Sequence, residues 1–565
     1  MKNKITRRDF IELSVAGGIL SAIPLLPASC SLRSTVAKET RELSADVVIA
    51  GGGVGGCAAA LGALRNGLKV ILTEETDWIG GQLTQQGVPP DEHPWVETHG
   101  VTQDYRKFRT AVRNYYIRNY PLTDDARTRK ELNPGNGSVS RLCHEPRVAL
   151  AVLNEMLAPY LSAGKLILLP ERKVVAADVD GDRVRALKAQ HVRDKSEMVL
   201  IAPFFVDATE LGDLLPLTGT EFVTGSESSR ETRELHASEV ADPQNQQAFT
   251  VCFAIDYEEG AHHVIDKPES YDFWRNYVPE LNPAWSGRLL DLSYSSPSTL
   301  EPKQLGFHPE GIYLDNGVLN LWNYRRIIHK ENFMPGTYAG DTSLVNWPQN
   351  DYMLGNLDQD FDLHVRKAKQ LSLSLLYWLQ TEVPRPDGKQ GWPGLRLRGD
   401  MMGTEDGMAK YPYVRESRRI RSLFTILEEY IGKENRAMVS NEKNAADFYD
   451  SVGTGYYHID LHPTSRGNNY IDFDAYPYQI PLGACIPQRM ENLLPASKNI
   501  GTTHITNGCY RVHPAEWNIG EAVGLLVCHA LQKQLPPRAI RENTALLADF
   551  QRIIRSQGIE THWRE

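Results

Sequence analysis

The chain has 565 residues, enough to bury a large core and to divide into two or three domains. Its 41% hydrophobic and 23% charged residues are ordinary for a soluble globular protein, and a net charge of −10 argues against nucleic acid or an acidic membrane surface as the main partner. No basic stripe offsets that charge, and no G-x-S-x-G, H-E-x-x-H or P-loop motif supports a hydrolase or kinase.

Residues 1–30 are expected to be an export signal outside the fold. Thr6-Arg7-Arg8-Asp9-Phe10-Ile11 resembles a twin-arginine signal, and Ile11–Leu26 is too short and too broken by glycine and proline for a comfortable membrane span. Cys30 follows Leu26-Pro27-Ala28-Ser29 and resembles a lipoprotein acceptor, which implies a possible membrane tether and a place in the periplasm or cell envelope. Residues 31–44 form a polar linker.

Asp46–Glu74 then reads as strand, glycine turn, helix and second strand. Gly51, Gly53 and Gly56 have the G-x-G-x-x-G spacing, with Gly55 inside it. The first permits the tight turn, the second admits a pyrophosphate, and the third lets helix pack on strand. The helix start offers free N–H groups to that pyrophosphate, and Glu74, with Glu75 beside it, stands where ribose hydroxyls are held. A dinucleotide-binding βαβ unit is the reading.

Trp78–Thr84 continues the unit. Asp91-Glu92-His93 and Glu97-x-His99 read as a polar loop rather than a metal site, and the seven cysteines include no C-x-x-C pair, so no metal is expected. Helices are predicted over 101–120 and Pro146–Ala163. Strands follow at Leu166–Leu169, Lys173–Val179, Arg183–His191 and Glu197–Asp207, with a hairpin turn at Asp180-Gly181-Asp182. From 220 to 399 aromatics, prolines and histidines rise, as expected of an inserted substrate domain. Arg325-Arg326 and Asn346–Tyr352 in it are candidates for lining a polar pocket. Residues 45–219 and 400–534 form the two parts of the nucleotide domain, and 535–565 a helical tail. The charge run Arg415–Arg419 reads as a solvated helix face.

Four segments together resemble the flavin-dependent oxidoreductases of the glutathione-reductase-like superfamily and, more narrowly, a bacterial FAD-dependent oxidoreductase family. They are the opening βαβ unit, W-I-G-G-Q-L-T at Trp78–Thr84, F-V-D-A-T-E-L-G-D at Phe205–Asp213 and Asn492–Gly508. Glu210 stands where that family usually has glycine. The resemblance implies an α/β fold: a Rossmann-like FAD-binding domain of parallel sheet plus β-meander, with an inserted mixed α+β substrate domain. It implies FAD as cofactor, with Gly80, Gly81 and Gln82 beside the flavin, Val174 offering backbone groups to adenine, and Asp207 reaching the cofactor from a strand end. Asn492–Gly508 is expected as the strand returning to the cofactor. Gly520, in the helix starting near Pro514, is expected to allow close approach to FAD. No second glycine turn indicates a nicotinamide domain.

Flavin carries the redox chemistry, so the protein must position a C–H bond and remove a proton, a task for histidine near neutral pH. His504, Asn507, Arg511 and His513 lie in the segment expected to pass the ring, with His504 the favoured base beside an Asn507-Gly508 turn. The expected reaction is hydride removal from a polar small molecule (alcohol, sugar or amine) to flavin N5, with an unspecified electron acceptor. A reductase or hydroxylase fed by a redox partner, and a flavin-binding protein without turnover, are the rival readings.

Overall fold

The computed structural model describes residues 41–311, 317–416 and 418–563. The export signal, Cys30, most of the linker and Ser417 lie outside the described residues.

Strand β1 (Arg41–Ser44) leads into β2 (Val47–Ala50), whose V-V-I-A run is buried on both faces, as a central parallel strand requires. Helix α1 (Val54–Arg65) follows, and β3 (Val70–Thr73) pairs parallel with β2. Next come α2 (Gln103–Asn119), capped by the Thr102 side chain, and α3 (Pro146–Ser162), which begins on a proline. Then follow β4 (Leu166–Leu169), β5 (Arg172–Asp180), β6 (Arg183–His191), β7 (Glu197–Ile201) and β8 (Phe204–Asp207).

Two sheets share these strands. The five-stranded one, completed by β17 (Leu493–Pro495), runs β17-β8-β2-β3-β4 with every pair parallel. The other runs β1-β7-β6-β5, with β7, β6 and β5 as an antiparallel meander closed by the turn at Gly181. The predicted strand 197–207 is therefore two: Pro203 interrupts the ladder and the chain passes from meander to parallel sheet. Leu166–Leu169, the first of the predicted run of strands, is the edge of the parallel sheet.

A mixed region follows. Strands β9 (Phe253–Tyr257), β10 (Arg326–Ile328), β11 (Thr342–Val345) and β12 (Leu395–Leu397) form an antiparallel sheet ordered β10-β11-β9-β12, and α4 (Phe361–Thr381) packs into the same apolar core. Strands β13 (Ser451–Gly455) and β16 (Tyr478–Pro481) pair, as do β14 (Ile459–Leu461) and β15 (Ile471–Phe473). After β17 come α5 (His504–Tyr510), α6 (His513–Lys533) and α7 (Thr544–Ser556). Only Leu493–Pro495 of the expected returning strand is strand. Thr503 caps a helix at His504 and accepts the Thr506 N–H, so Asn507-Gly508 is helical and not a turn.

Helix α6 lies on α1 through glycines. A Cβ on Gly520 would stand 2.1 Å from the Gly55 carbonyl oxygen, and one on Gly524 would stand 2.3 Å from that of Ala59. Gly55 is itself wedged against Ala496, whose carbonyl oxygen a Cβ would meet at 1.6 Å. Gly520 thus faces α1; it is a packing residue in this structure.

Candidate active site

Strand β2 lies between β3 and β8, so the chain leaves its carboxyl end with one neighbour reached through α1 and the other after the meander. This reversal of strand order opens a crevice at the carboxyl ends. The crevice is a narrow cleft lined by Gly51 and Gly53 of the turn, Glu74 and Glu75 at the end of β3, Val174 of the meander, and Tyr411. Gly51 has φ +95°, and a Cβ there would meet the Ala208 carbonyl oxygen at 2.3 Å, so only glycine fits the turn. Gly56 packs against the Gly51 carbonyl.

The Glu74 carboxylate accepts the N–H groups of Gly52 (3.0 Å) and Thr76 (2.9 Å), which ties strand end to glycine turn. Burial pushes its pKa up to about 8. Burial also raises Glu75, against the opposing pull of Lys173 3.1 Å away. Gly80 donates to the Gly52 carbonyl (2.7 Å), and Gly81 lies beside Gly53. Asp207 does not line the cleft: its carboxylate accepts from the Thr209 N–H and hydroxyl and from the Leu214 N–H, which fixes the end of β8, and burial lifts its pKa to about 7.

Glu210 lies against the turn. Its carboxylate approaches the faces of Gly53 and Gly81 and pairs with the fully buried Lys498 at 2.5 Å, with Glu516 3.4 Å from the same ammonium. Further in, Gln82 donates to the Arg511 carbonyl (3.0 Å), while the buried Oε1 atoms of Gln82 and Gln86 have no partner among the described residues. Uncompensated buried amide oxygens are costly, so this polar seam suits a bound ligand bearing donors. Glycine turn, acid and seam together fit the pyrophosphate, ribose and flavin parts of a dinucleotide.

A second cavity, of about 310 Å³, adjoins the seam. Two segments run from cleft to cavity: Tyr411 lines the cleft while Tyr413 and Arg415 line the cavity, and Gln85 and Asp91 divide in the same way. Strand β14 and the residues flanking it present His458, Asp460 and His462 to the cavity by two-residue alternation, with Ile459 and Leu461 buried. His462 Nδ1 lies 2.6 Å from the Asp351 carboxylate, which also accepts from Thr250 Oγ1 (2.7 Å) and pairs with Arg415 (2.9 Å). Burial works to raise Asp351, but Arg415 and His462 outweigh it and hold the carboxyl below its usual value. An ionised Asp351 accepts only, so Nδ1 carries a proton in either ring form, and in the neutral ring, the form able to act as a base, the lone pair is on Nε2.

His462 Nε2 lies 3.7 Å from Asp460, which pairs with Arg511 at 2.9 Å. Against burial, the surrounding His462, Arg511 and His458 hold Asp460 at about 2. His458 Nδ1 meets Asp472 at 2.6 Å, and although burial disfavours its charge, Asp472 and Asp460 keep its pKa above the usual histidine value.

Of the four residues expected to be catalytic, only Arg511 lines this cavity. His504 is turned into a separate small pocket, where Nδ1 meets Glu416 at 2.9 Å and its N–H donates to Glu227. Asn507 donates to the Arg415 carbonyl (2.9 Å). His513 accepts the Asp91 N–H (3.2 Å) and reaches the Val88 carbonyl (3.3 Å), and burial drops its pKa to about 4. His504 and Asn507 therefore grip the Arg415–Glu416 segment.

That segment is a correction to the sequence reading. Arg415, Glu416 and Arg419 are buried, not on a solvated helix face, because Glu416 pairs with Arg419 (2.5 Å) and His504, and Arg419 with Glu227 (2.9 Å). Arg325, Asn346 and Trp347 line the cavity as the sequence suggested, while Arg326 turns away to pair with Asp341 (2.7 Å). Glu92 and Glu97 pair with Arg109. Among the described residues no group of three or more histidine, cysteine, aspartate or glutamate side chains is placed to hold a metal. All six described cysteines are free and buried.

A family model described as FAD dependent oxidoreductase matches residues 46–554. Solved structures with similarity include the anhydrotetracycline hydroxylase OxyS of Streptomyces rimosus (11% identity, 91% of this chain and 66% of that one, TM-score 0.33). A quinol fumarate reductase subunit of E. coli matches at 13% identity over 92% of this chain and 74% of that one, with TM-score 0.30. The glycerol-3-phosphate dehydrogenase of Bacillus halodurans complexed with FAD matches at 16% identity over 38% of this chain and 40% of that one, with TM-score 0.21. The chain spans only 25% of an L-proline dehydrogenase of P. horikoshii and 41% of a Mycobacterium smegmatis protein, Sdh1, that it also matches. At such TM-scores these likenesses say nothing about substrate. No curated protein matches the chain in sequence.

Proposed function

Because the chain belongs to the FAD dependent oxidoreductase family, we propose that it is a dehydrogenase or oxidase taking hydride from a polar small molecule in the 310 Å³ cavity, with His462 removing the accompanying proton. FAD is its cofactor. The turn at Gly51–Gly56 and the start of α1 suit the pyrophosphate, Glu74 the ribose, Val174 the adenine side, and Gly80, Gly81 and Gln82 the approach to the flavin. Glu210, whose carboxylate lies against Gly53, would have to leave the turn for a pyrophosphate to bind there, and Lys498, which also faces Glu516 at 3.4 Å, would then supply a cation beside it.

The observation that carries the reading is the His462–Asp351 pair on the cavity wall. Bound FAD supplies the hydride acceptor. Nε2 of His462, its lone pair set by the Asp351 bond to Nδ1, takes the proton of a substrate hydroxyl or ammonium. The imidazolium so formed sits between the carboxylates of Asp351 and Asp460. Arg415 and Arg511 keep those carboxylates ionised and in place.

Anaerobic titration of the FAD-loaded protein with alcohols, sugars and amines tests the reading. Bleaching of the oxidised flavin band by one of them is the expected result. A flavin that no such donor reduces, but a redox partner does, would overturn it.

A further inference from the structure

Three arginines line the cavity, and they differ in how far their donors are already used. Arg415 donates to the Ala248 carbonyl (2.9 Å) and Thr250 Oγ1 (3.0 Å) and pairs with Asp351. Arg511 donates to Tyr413 OH (2.8 Å) and to the carbonyl and carboxylate of Asp460 (2.8 and 2.9 Å).

Arg325 is the exception. Its side chain is only 9% exposed, yet its hydrogen bond to the Pro89 carbonyl and its approach to Asp91 are both 3.5 Å long. Its Nε has no partner among the described residues, as is also true of Arg415 and Arg511, so the exception lies in its terminal nitrogens; its Cζ sits 5.1 Å over the Tyr324 ring. A buried guanidinium with five donors and no good acceptor is costly, and its planar fork matches a carboxylate bidentately. Asp91 offsets the charge without occupying the fork, and Lys303 adds a cation to the lining.

The rest of the cavity narrows the ligand. Its lining combines aromatic side chains (Trp347, Tyr413, Tyr457) with polar ones (Asn346, His458, Asp472). Aromatic side chains suit the C–H faces of a sugar, and polar ones suit its hydroxyls. Of the lining carboxylates, Asp460 is paired with Arg511, Asp472 with His458, and Asp91 faces the Arg325 guanidinium at 3.5 Å, so each already has a cation beside it and an amine is poorly served.

We propose that Arg325 anchors the carboxylate of the substrate, and that the substrate is a sugar acid, a polyhydroxylated carboxylic acid, rather than a neutral sugar, simple alcohol or amine. This deepens the dehydrogenase reading and rests on it for the reaction, though not for the binding.

The test titrates FAD-loaded protein anaerobically with D-glucuronate, D-gluconate and D-glucose. Perturbation of the flavin spectrum reads binding and bleaching reads reduction, in wild type, R325M and R325K. At least one acid is expected to bind ten times or more tighter than glucose to wild type. R325M abolishes that preference, and R325K, which keeps the charge without the fork, restores part of it. Glucose binding as tightly as the acids, no binding of any of the three, or a preference surviving in R325M would overturn the proposal. Failure of R325M to retain FAD under conditions in which R325K retains it would also overturn it, by assigning the guanidinium to the flavin. An acid that binds with the predicted preference but never bleaches the flavin would leave the Arg325 site standing and refute the dehydrogenase reading instead.

Discussion

Gly520→Ala separates packing from cofactor contact at a position the sequence assigned to FAD. The added Cβ would stand 2.1 Å from the Gly55 carbonyl oxygen and 2.7 Å from its carbonyl carbon and Cα, about 1.3 Å inside the 3.4 Å at which ordinary contact begins. All three atoms are backbone, so no side chain can swing aside. Helix α1 cannot retreat either, since Gly55 already presses on the Ala496 carbonyl. Helix α6 must move outward by roughly an ångström, and overpacking of this kind costs about 1–3 kcal/mol. Contact with backbone that cannot yield puts the cost at the upper end of that range, and alanine returns about 1 kcal/mol of helix propensity, so a net loss of about 2 kcal/mol is expected. The same displacement strains the Gly55 N–H contact with Glu516 (3.4 Å) at the start of α1, and FAD affinity should fall with stability. Denaturant unfolding of the FAD-free protein and FAD titration read the two effects. A G520A protein as stable as wild type, with only FAD binding impaired, would refute the packing account and return Gly520 to the cofactor.

Two further perturbations test the electrostatics. Asp351→Asn removes the acceptor that sets the His462 tautomer and leaves Arg415 without its 2.9 Å partner. Flavin reduction should slow by about 10²- to 10⁴-fold with FAD content unchanged, the range a positioned base supplies; rapid-mixing reduction would show it. For pH, burial holds His513 at about 4 in the fold against an unperturbed 6.5, so the unfolded chain binds the extra proton between those values. The stability this neutral ring contributes is complete above pH 6.5 and is lost as pH falls towards 4, by about 3 kcal/mol. His144 shares that sign, whereas Glu74, raised to about 8, opposes it, because its folded form binds the proton more tightly and gains as pH falls from 8 to 4.5. The comparison with His513→Asn isolates one term: its unfolding free energy should gain less than wild type's, by about 3 kcal/mol, as pH rises from 4 to 6.5, whatever the net slope set by the opposing carboxylates, and parallel profiles would contradict the assignment.

The nucleotide half of the fold was legible because its signals are local. Glycine spacing, a doubly buried strand and a hairpin turn each lie within a few residues of the structure they specify, and β2, α1, β3, β5 and β6 fall close to where periodicity placed them. The cavity is assembled over long separations: His462 and Asp351 lie 111 residues apart, and His504 and Glu416 88. A charge run such as Arg415–Arg419 reads as solvated until its buried partners are known. One signal was present and local. His458, Asp460 and His462 alternate with Ile459 and Leu461, the pattern of a strand with one polar, functional face. The histidines after Thr503 lie in no such alternation, and α5 turns His504 away from the cavity.

The central claim is that His462 is the base of a flavin-reducing oxidation in this cavity. Its most direct measurement is the anaerobic rate of flavin reduction by a substrate that bleaches wild type, compared with His462→Asn across pH. The account predicts that H462N keeps its FAD and binds the substrate, yet reduces at least about 10²-fold more slowly, and that the pH-dependent limb seen in wild type is absent. Reduction at the wild-type rate with an unchanged pH profile would contradict it.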